Sequence, residues 1–423
     1  MMQNKRIILS TIICILFPLL SVTAQKKYDL LIQGGTVIDP KNKISEKVMD
    51  IAISNDTIVA VSGHLNARDA VKVVNAKGLY VTPGLIDLHS HHFYGTEENH
   101  YLCNGYYAVQ PDAFTFRSGV TTAVDAGSPG WKSFEKYKKQ TIAHSKTRIL
   151  SFLNIVGEGM RGGVWEQDLN DMNAKMTAMT IAQNPELVGI KVAHYSGAEW
   201  TPIERAVEAG NMAGVPVMID FGGHEPPLSL TRLLLEELRP GDIFTHMYAN
   251  LAAVRMTILN PETGELYDYA TKGRERGIVF DVGHGGGSFA FAQAIPAIKK
   301  GFYPDAISTD IHTESMNGGM KDQLNVMSKF LNLGMPLNAV IEASSWKPAQ
   351  VIHHEELGNL SVGSIADIAV LSVLKGDFGF IDSAGNKMKG NRKLQCEMTV
   401  RAGEIVYDLN GLSSPMWDAP DAR

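Results

Sequence analysis

Eight short apolar segments, each followed by a stretch with helical periodicity, are the feature that most restricts the fold of this 423-residue chain. The segments are 81–89, 120–127, 148–157, 187–194, 215–221, 242–248, 277–285 and 305–312. The stretches between them, such as TPIERAVEAGNMAG, carry Gly or Pro at their ends. Eight strand–helix units with nearly continuous apolar strands predict a (β/α)8 barrel of the TIM type. An open, doubly wound sheet is the alternative, but no glycine-rich nucleotide loop follows the first strand.

The two ends of the chain differ from its middle. Residues 28–80 and the segments ADIAVLSV and CEMTVRAGEIVYDL alternate apolar and polar residues between turn signals, a pattern typical of short strands. We therefore predict an α/β protein in which both termini build one small β-sandwich domain. Its two parts are residues 26–80 and 350–423, and the barrel occupies residues 81–349.

The first 25 residues have the layout of a secretory signal peptide. Lys5 and Arg6 precede the apolar run IILSTIICILFPLL, and small residues follow near Ala24. A membrane anchor is the alternative, but the run is shorter than the ~20 residues of a membrane span and contains Pro18. The sequence thus predicts a signal peptide at residues 1–25 and an exported, periplasmic protein with no stable membrane anchor.

Charge and composition bear on the partners of the protein. The net charge is −6, and no basic block is interleaved with aromatic residues, so we expect no nucleic-acid partner. A small-molecule substrate is the partner expected of a barrel with its chemistry at one rim. The sequence leaves the oligomeric state open, a homo-oligomer included.

A polar residue stands at or near the end of every predicted strand. These residues are His89, His91, Asp125, Asn154, Lys191, Asp220, His246, His284 and Asp310. The carboxyl ends of barrel strands meet at one rim, where active sites lie. A single buried histidine most often satisfies ordinary hydrogen bonds, but so many ionisable groups at one rim would repel one another unless a cation lay between them.

The residue types at this rim indicate a metal centre. His89 and His91, two residues apart in GLIDLHSHH, project from the same side of a strand. Imidazole and carboxylate ligands favour zinc or a similar divalent metal. An ammonium group beside such cations is disfavoured, so we expect Lys191 to be a neutral amine, which can add carbon dioxide and become a carbamate that bridges two metals. A lysine on the outer strand face, paired with an acid, is the alternative.

These residues also carry a resemblance to a known family. His89, His91, Lys191, His246 and Asp310 follow the order of the amidohydrolase superfamily, and the chain resembles its dihydroorotase-like branch, the amidohydrolase/deacetylase family. Supporting stretches include GVTTAVDAGSPGW, DVGHGGGSF and GNLSVGSIADIAVL, so the resemblance covers residues 28–408. It implies that His89, His91 and Asp310 hold a first zinc ion. Lys191 as a carbamate would bridge to a second ion at His246.

The resemblance also implies the reaction. A water activated by one or two metal ions attacks a carbonyl group, and Asp310 is the catalytic residue that takes the proton of this water and returns it to the leaving group. The predicted activity is hydrolysis of an amide, ester or cyclic amide bond in a small acylated molecule.

The fifth strand departs from the family pattern. Where that family commonly has a histidine ligand, this chain reads PVMIDFGGHEPP and places Asp220. Asp220 can ligate zinc through oxygen, and its position on the strand favours it. His224 in the following loop is a second candidate ligand, and a site with one metal is a third possibility. A non-catalytic ligand-binding barrel with a degraded second metal site is the alternative function.

Two further histidines lie near the predicted rim. His284 stands in a glycine-rich loop, which permits close backbone approach to a ligand, so we predict that it contacts the substrate. Capping of the loop is its alternative role. His194 lies three residues beyond Lys191, which would place it on the opposite face of a continuing strand, and no site role is predicted for it.

Overall fold

The computed structural model describes residues 26–95, 105, 107–220, 227–251 and 255–419. The predicted signal peptide and the candidate ligand His224 lie outside the described residues. Among the described helices, none has the length and apolar character that a membrane span needs. The strands form two sheets, one from both ends of the chain and one from its middle.

Strands from both termini share the first sheet. They are β1 (Tyr28–Asp39), β2 (Ile44–Ser54), β3 (Thr57–Ser62), β4 (Ala70–Asn75), β5 (Tyr80–Pro83), β13 (Ile368–Ile381), β14 (Lys387–Arg401) and β15 (Glu404–Asp408). Antiparallel pairing of β13 with β5 joins the C-terminal strands to the N-terminal ones. Leu30, Ile51, Val370 and Met398 lie in one buried cluster. The prediction of a small β-domain built from both termini is confirmed.

The second sheet is parallel and follows the chain order. Its strands are β6 (Leu85–Ser90), β7 (Val120–Gly130), β8 (Arg148–Asn154), β9 (Leu187–Val192), β10 (Val217–Ile219), β11 (Ile243–Phe244) and β12 (Val279–Phe280). The eighth predicted strand, 305–312, is instead a segment joined by single parallel bridges. Ala306 pairs with Asp281 after β12, and Ile311 pairs with Ser90 on β6. These bridges close the ring, and the predicted (β/α)8 barrel is confirmed.

The predicted first barrel strand, 81–89, is two strands in two sheets. They meet at Gly84, whose backbone N–H donates to the carbonyl of Asp367 (2.8 Å). A Cβ atom on Gly84 would lie 2.3 Å from Thr121 Oγ1, so no larger side chain fits there. The apolar pattern runs across this change of sheet without a break, which is why the sequence does not reveal it.

Helices follow the barrel strands. They are α1 (Phe134–Gln140), α2 (Ala174–Gln183), α3 (Thr201–Ala213), α4 (Leu230–Arg232), α5 (Asp268–Glu275), α6 (Phe291–Lys299), α7 (Thr313–Asn317), α8 (Gln323–Leu333), α9 (Leu337–Glu342) and α10 (Trp346–Val351), and a π-helix (Leu233–Glu237) continues α4. Short 3₁₀ helices lie at Ala67–Asp69, Pro111–Ala113, Phe116–Ser118, Ile142–His144, Gly163–Gln167 and Leu169–Asp171. α3 shows how the sequence sets such limits. Pro202 stands in its first turn, and Gly214 ends it in the left-handed conformation (φ 70°).

Asp87 on β6 ties together the two edges that close the barrel. Its carboxylate accepts hydrogen bonds from the backbone N–H (3.0 Å) and from Oγ1 (2.5 Å) of Thr309. Burial raises the pKa of Asp87 to about 7, against the hydrogen bonds from Thr309, which lower it. The neutral form of this carboxyl group is therefore favoured below about pH 7.

Replacing Asp87 by asparagine is expected to remove one pH dependence of stability. Because the folded-state pKa is raised, the group contributes stability that is present below about pH 4 and lost as pH rises through about 7. The asparagine side chain has the same shape and stays neutral. The free energy of unfolding of the wild type, relative to Asp87→Asn, should fall by about 2–3 kcal/mol between about pH 5 and pH 8. Chemical unfolding of both proteins at both pH values tests this. If the wild type and the variant differed in free energy of unfolding by the same amount at about pH 5 and at about pH 8, the prediction would be contradicted.

Candidate active site

Six predicted metal-binding residues converge at the carboxyl ends of the barrel strands. They are His89 and His91 at the end of β6, Lys191 on β9, Asp220 after β10, His246 after β11 and Asp310 in the eighth segment. None of the six is more than 9% exposed. Such a collection of ionisable groups is costly to bury unless its members pair with one another or bind a cation.

Two groups of side chains in this cluster have the spacing of metal ligands. In the first, His91 Nε2 lies 3.0 Å and His89 Nε2 3.6 Å from Asp310 Oδ1. In the second, His246 Nε2 lies 3.0 Å from Asp220 Oδ1. Each group has three members whose ligand atoms lie within 4.8 Å of one another, and His89 belongs to both. The two groups are therefore adjacent and joined at one imidazole.

Lys191 lies between the two groups. Its Nζ is 3.1 Å from His89 Nε2 and 3.4 Å from Asp220 Oδ2, and the residue is fully buried. The alternative of an outward-facing lysine is therefore wrong, because this amine faces the ligand cluster. The anion it pairs with is Asp220, the residue that departs from the family pattern.

The second nitrogen of each imidazole is held by the scaffold. His91 Nδ1 lies 3.0 Å from Ser128 Oγ, and His246 Nδ1 lies 2.6 Å from the carbonyl oxygen of Gly283. With Nδ1 engaged, Nε2 is the nitrogen presented to the cluster. Metal-binding histidines in proteins are oriented in this way.

His89 is held by a longer chain of hydrogen bonds. Its Nδ1 lies 3.1 Å from Thr245 Oγ1, and this hydroxyl donates to Asp281 (2.6 Å). Asp281 also accepts from Ser308 Oγ (2.7 Å). Residues on three barrel elements thus fix the imidazole that the two ligand groups share.

The protonation of the cluster suits metal binding. Burial lowers the pKa of His91 to about 3, and burial together with Lys191 lowers that of His89, so both imidazoles are neutral. Burial alone would raise the pKa of Asp310 and of Asp220. The imidazoles around Asp310, and His246 with Lys191 around Asp220, outweigh burial and hold both pKa values well below the usual range. Neutral imidazoles and ionised carboxylates are the forms that bind metals, so these residues fit a divalent ion.

Three residues at the strand ends have left-handed backbone angles. His194, His246 and Asp310 have φ values of 54°, 57° and 52°, which are uncommon outside glycine. Such conformations cost of order 1–3 kcal/mol and concentrate at functional sites. Here they turn the side chains after each strand toward the centre of the rim.

A cavity of about 790 Å³ opens beside Asp310. Its walls come from four segments and consist of Gly163, Val164, Glu166, Gln167, Asp168, His194, Ser196, Gly286, Gly287, Asp310, His312 and Glu314. A cavity of this volume holds a small organic molecule. The ligand cluster therefore has a substrate-sized space at its edge.

Comparison with known proteins identifies the family. The model of the Amidohydrolase family matches residues 246–406. A deacetylase from Brucella anthropi is 35% identical over 371 residues, which cover 86% of this chain and 89% of that protein. The chain belongs to the amidohydrolase family. The crystal structure of an adenine deaminase has a TM-score of 0.80 to this amidohydrolase at 28% identity. The crystal structure of a dihydroorotase has a TM-score of 0.77 at 30% identity. Each match covers 90% of this chain and at least 99% of the other chain.

The family and the assembled ligands together define the class of activity. This amidohydrolase is a metal-dependent hydrolase that acts on a small molecule. A non-catalytic barrel is not favoured, because Asp220 lies with His246 and His89 in a group whose spacing could hold a metal ion. Asp220 therefore occupies the place at the fifth strand that the sequence assigned to it. His224, the other candidate, lies outside the described residues.

His284 of the amidohydrolase lies in the core and not on the cavity wall. Its ring is fully buried and stacks on Phe289, with 4.6 Å between the ring centroids. Its Nε2 lies 2.5 Å from Lys329 Nζ, and its Nδ1 lies 2.9 Å from the carbonyl oxygen of Gly285. The substrate contact predicted for His284 has no support in this placement, because both ring nitrogens are turned to Lys329 and Gly285 and the ring packs on Phe289.

Asp125, within β7, and Asn154, at the end of β8, serve the scaffold. Asp125 accepts hydrogen bonds from the backbone N–H groups of His92 and Ser128, both at 2.8 Å. Asn154 donates to the carbonyl of Gly127 (2.9 Å). These contacts shape the last part of β7, which carries the hydroxyl that holds His91.

The sequence missed His194, Glu166 and His312 as site residues. β9 ends at Val192, so His194 does not continue the strand alternation, and it faces the cavity. The turn signal Ser196-Gly197 that follows could have indicated this end. Burial lowers and Glu166 raises the pKa of His194, to about 9 overall. His312 follows Asp310 by two residues, the same spacing as His89 and His91, and its Nδ1 lies 2.9 Å from the Asp310 carbonyl oxygen.

Proposed function

We propose that this amidohydrolase is a zinc enzyme of the deacetylase type that hydrolyses an amide, ester or cyclic amide bond in a small acylated molecule. The observation that carries the proposal is the pair of ligand groups that share His89. Imidazole and carboxylate ligands suit zinc. The deacetylase name of the relative from Brucella anthropi supports an acylated substrate.

The residues divide into two zinc positions. His89, His91 and Asp310 would hold the first ion, and His246 and Asp220 the second. Lys191 lies between them, and its amine, once it has lost its ammonium proton, would add carbon dioxide and release one further proton to give a carbamate. When bound, zinc supplies a Lewis acid that lowers the pKa of water and polarises a carbonyl group.

Asp310 is the group of this chain that moves the proton. Its carboxylate is ionised, lies on the cavity wall and is 9% exposed. It can accept the proton of the attacking water and then deliver this proton to the leaving amine or alcohol. The surrounding imidazoles hold the carboxylate in place through this cycle.

Metal analysis combined with a substrate panel tests the proposal. Purified protein should contain about one to two equivalents of zinc and hydrolyse at least one N-acetylated amino acid or O-acetylated hydroxy acid. A chelator should abolish this activity, and added zinc should restore it. Metal-free protein that stays inactive after addition of zinc and bicarbonate would contradict the proposal.

We also propose that the protein is exported to the periplasm. The support is the N-terminal order of Lys5, Arg6, an apolar run and small residues. Fractionation of cells that express the full chain should recover it outside the cytoplasm, with a mature N-terminus near residue 26. A variant that lacks residues 2–25 should remain in the cytoplasm.

A further inference from the structure

Residues 283–287 form a glycine-rich loop at the edge of the active site. Gly286 and Gly287 are part of the cavity wall. Gly285 lies against the carboxylate of Asp310, since a Cβ atom added to this glycine would lie 2.2 Å from Asp310 Oδ2. The position of the loop therefore sets the space on one side of the proposed proton acceptor.

The barrel holds the first part of this loop by its backbone N–H groups. The N–H of Gly283 donates to Ser308 Oγ (2.8 Å), and that of His284 donates to the carbonyl of Ser308 (3.3 Å). The N–H of Gly285 donates to the carbonyl of Thr309 (2.9 Å). These bonds fix the loop as far as Gly285, and the course of the next two glycines depends on the peptide that follows.

The ring of His284 holds this peptide. Its Nδ1 lies 2.9 Å from the carbonyl oxygen of Gly285, so Nδ1 carries the proton and Nε2 is an acceptor. The ring is fully buried and stacked on Phe289, so it has little freedom to turn. Because the bound carbonyl belongs to the peptide between Gly285 and Gly286, the imidazole orients the chain where the cavity wall begins.

Lys329 on α8 holds the imidazole from behind. Its Nζ lies 2.5 Å from His284 Nε2 and donates to the carbonyls of Gly319 (2.8 Å) and Ile381 (2.7 Å). The three N–H groups of an ammonium thus each have an acceptor. Burial lowers the pKa of Lys329 to about 7, so the ammonium form prevails in mildly acidic solution.

The turn after β13 ties the small β-domain to the same region. Ile381, which accepts from Lys329, is the last residue of β13. The N–H of Ser383 donates to the carbonyl of Phe289 (2.8 Å), and the N–H of Phe289 donates to Ser383 Oγ (3.0 Å). The amine behind the imidazole and the aromatic ring beneath it are therefore both anchored to strands from the end of the chain.

We propose that His284 and Lys329 are positioning residues of the active site. Lys329 orients the imidazole of His284, this ring holds the carbonyl of Gly285, and the loop keeps Asp310 and the cavity wall in place. The small β-domain takes part in this support through the turn after β13. The effect on catalysis rests on the proposed function, because it requires Asp310 to move a proton.

His284→Asn and His284→Leu form a matched pair that tests the role of the ring. The two side chains have the same shape, but only the asparagine amide can donate to the carbonyl of Gly285. In the zinc-loaded enzyme, His284→Leu should lower kcat by about 10-fold and change KM by less than about 3-fold, because the proton acceptor is misplaced while no substrate contact is removed. His284→Asn should recover kcat to within about 3-fold of the wild type. Both should keep the zinc.

Lys329→Met tests the support behind the ring and should also lower kcat by about 10-fold with the zinc retained. Asn332→Ala is its control on the same helix. Asn332 accepts from the N–H groups of Asn391 (2.9 Å) and Arg392 (3.2 Å) and donates to the carbonyl of Arg392 (2.7 Å), so it also joins α8 to the small β-domain by three hydrogen bonds. Its loss should cost stability but leave kcat within about 2-fold of the wild type.

Hydrogen exchange of the metal-free proteins gives a second measurement that needs neither zinc nor substrate. At about pH 6, the backbone amides of residues 285–288 should exchange about 10-fold faster in His284→Leu and in Lys329→Met than in the wild type. Asn332→Ala should leave their exchange unchanged. Failure of the proposed function is distinguishable, because the wild type would then lack zinc and activity while these exchange differences remained.

Three results would overturn the inference. One is equal kcat in His284→Asn and His284→Leu, and another is unchanged exchange of residues 285–288 in both His284→Leu and Lys329→Met. The third is an equal loss of kcat in Asn332→Ala, which would make the effect one of general stability. Should Lys329→Met fail to fold, the two variants of His284 decide. Should His284→Leu also fail to fold, Ser383→Ala decides, because removal of the acceptor for Phe289 N–H should speed exchange in the same segment.

Discussion

Asp310→Asn is expected to lower kcat by at least about 10³-fold while the protein stays folded. The ionised carboxylate of Asp310 lies 3.0 Å from His91 Nε2 and on the cavity wall, where it can take up and release a proton. An amide of the same shape has no basic oxygen, so this proton transfer is lost. It is also a poorer metal ligand, so the zinc content should fall as well. Assays of kcat, zinc content and thermal midpoint on the same preparations measure all three.

Asp168→Asn is the matched control for this substitution. Asp168 lines the same cavity, but its carboxylate is exposed and accepts a hydrogen bond from the backbone N–H of Asn170 (2.9 Å). Its kcat should stay within a few-fold of the wild type. If Asp310→Asn kept more than about a tenth of the wild-type kcat, Asp310 would not be the proton acceptor.

The ligand cluster was predictable because strands impose strict rules on their side chains. Alternation places His89 and His91 on one side of β6, and the barrel brings strand ends that are far apart in sequence, such as those carrying Lys191 and His246, to one rim. Residue type and position on a strand selected them together with Asp125, Asn154 and His284, and the family resemblance narrowed the set to the ligand candidates. Even Asp220, which departs from the family pattern, was assigned to this rim by its place on the fifth strand.

Side chains beyond the strand ends were not predictable in the same way. His194 and His284 both follow strands, and the sequence predicted a substrate contact for His284 and no site role for His194. The φ of 54° at His194 turns its ring into the cavity, whereas the ring of His284 packs on Phe289 in the core. These directions depend on backbone angles and on tertiary partners such as Glu166, which no local pattern reports.

The position of the first barrel strand shows a related limit. Residues 81–89 read as one strand because their apolar pattern is continuous, but β5 belongs to the terminal sheet and β6 to the barrel. The change occurs at Gly84, where the close approach of Thr121 excludes a side chain. A glycine with this function resembles any other glycine in the sequence.

Lys191→Met is expected to remove the second zinc ion and to lower kcat by at least about 10²-fold. The methionine side chain is similar in length and apolar, so it should fill the buried space beside Met218, whose Sδ lies 3.6 Å from Lys191 Nζ. What it cannot do is form a carbamate. Asp220 and His246 would then remain as the described side chains at the second position, and two protein ligands hold zinc weakly. Zinc content and kcat, measured before and after addition of bicarbonate, should both stay low.

The carbamate itself can be observed directly. Wild-type protein incubated with zinc and ¹³C-bicarbonate should show a carbamate carbon signal by NMR, and Lys191→Met should not. Lys329→Met is the matched control, because Lys329 is equally buried but donates to the carbonyls of Gly319 (2.8 Å) and Ile381 (2.7 Å), away from the ligand groups. That variant should lose stability, since it removes the hydrogen bonds to these carbonyls, yet keep the carbamate signal and the zinc. If the wild type were fully active without this signal, Lys191 would act as an amine paired with Asp220. That result would contradict the proposed carbamate.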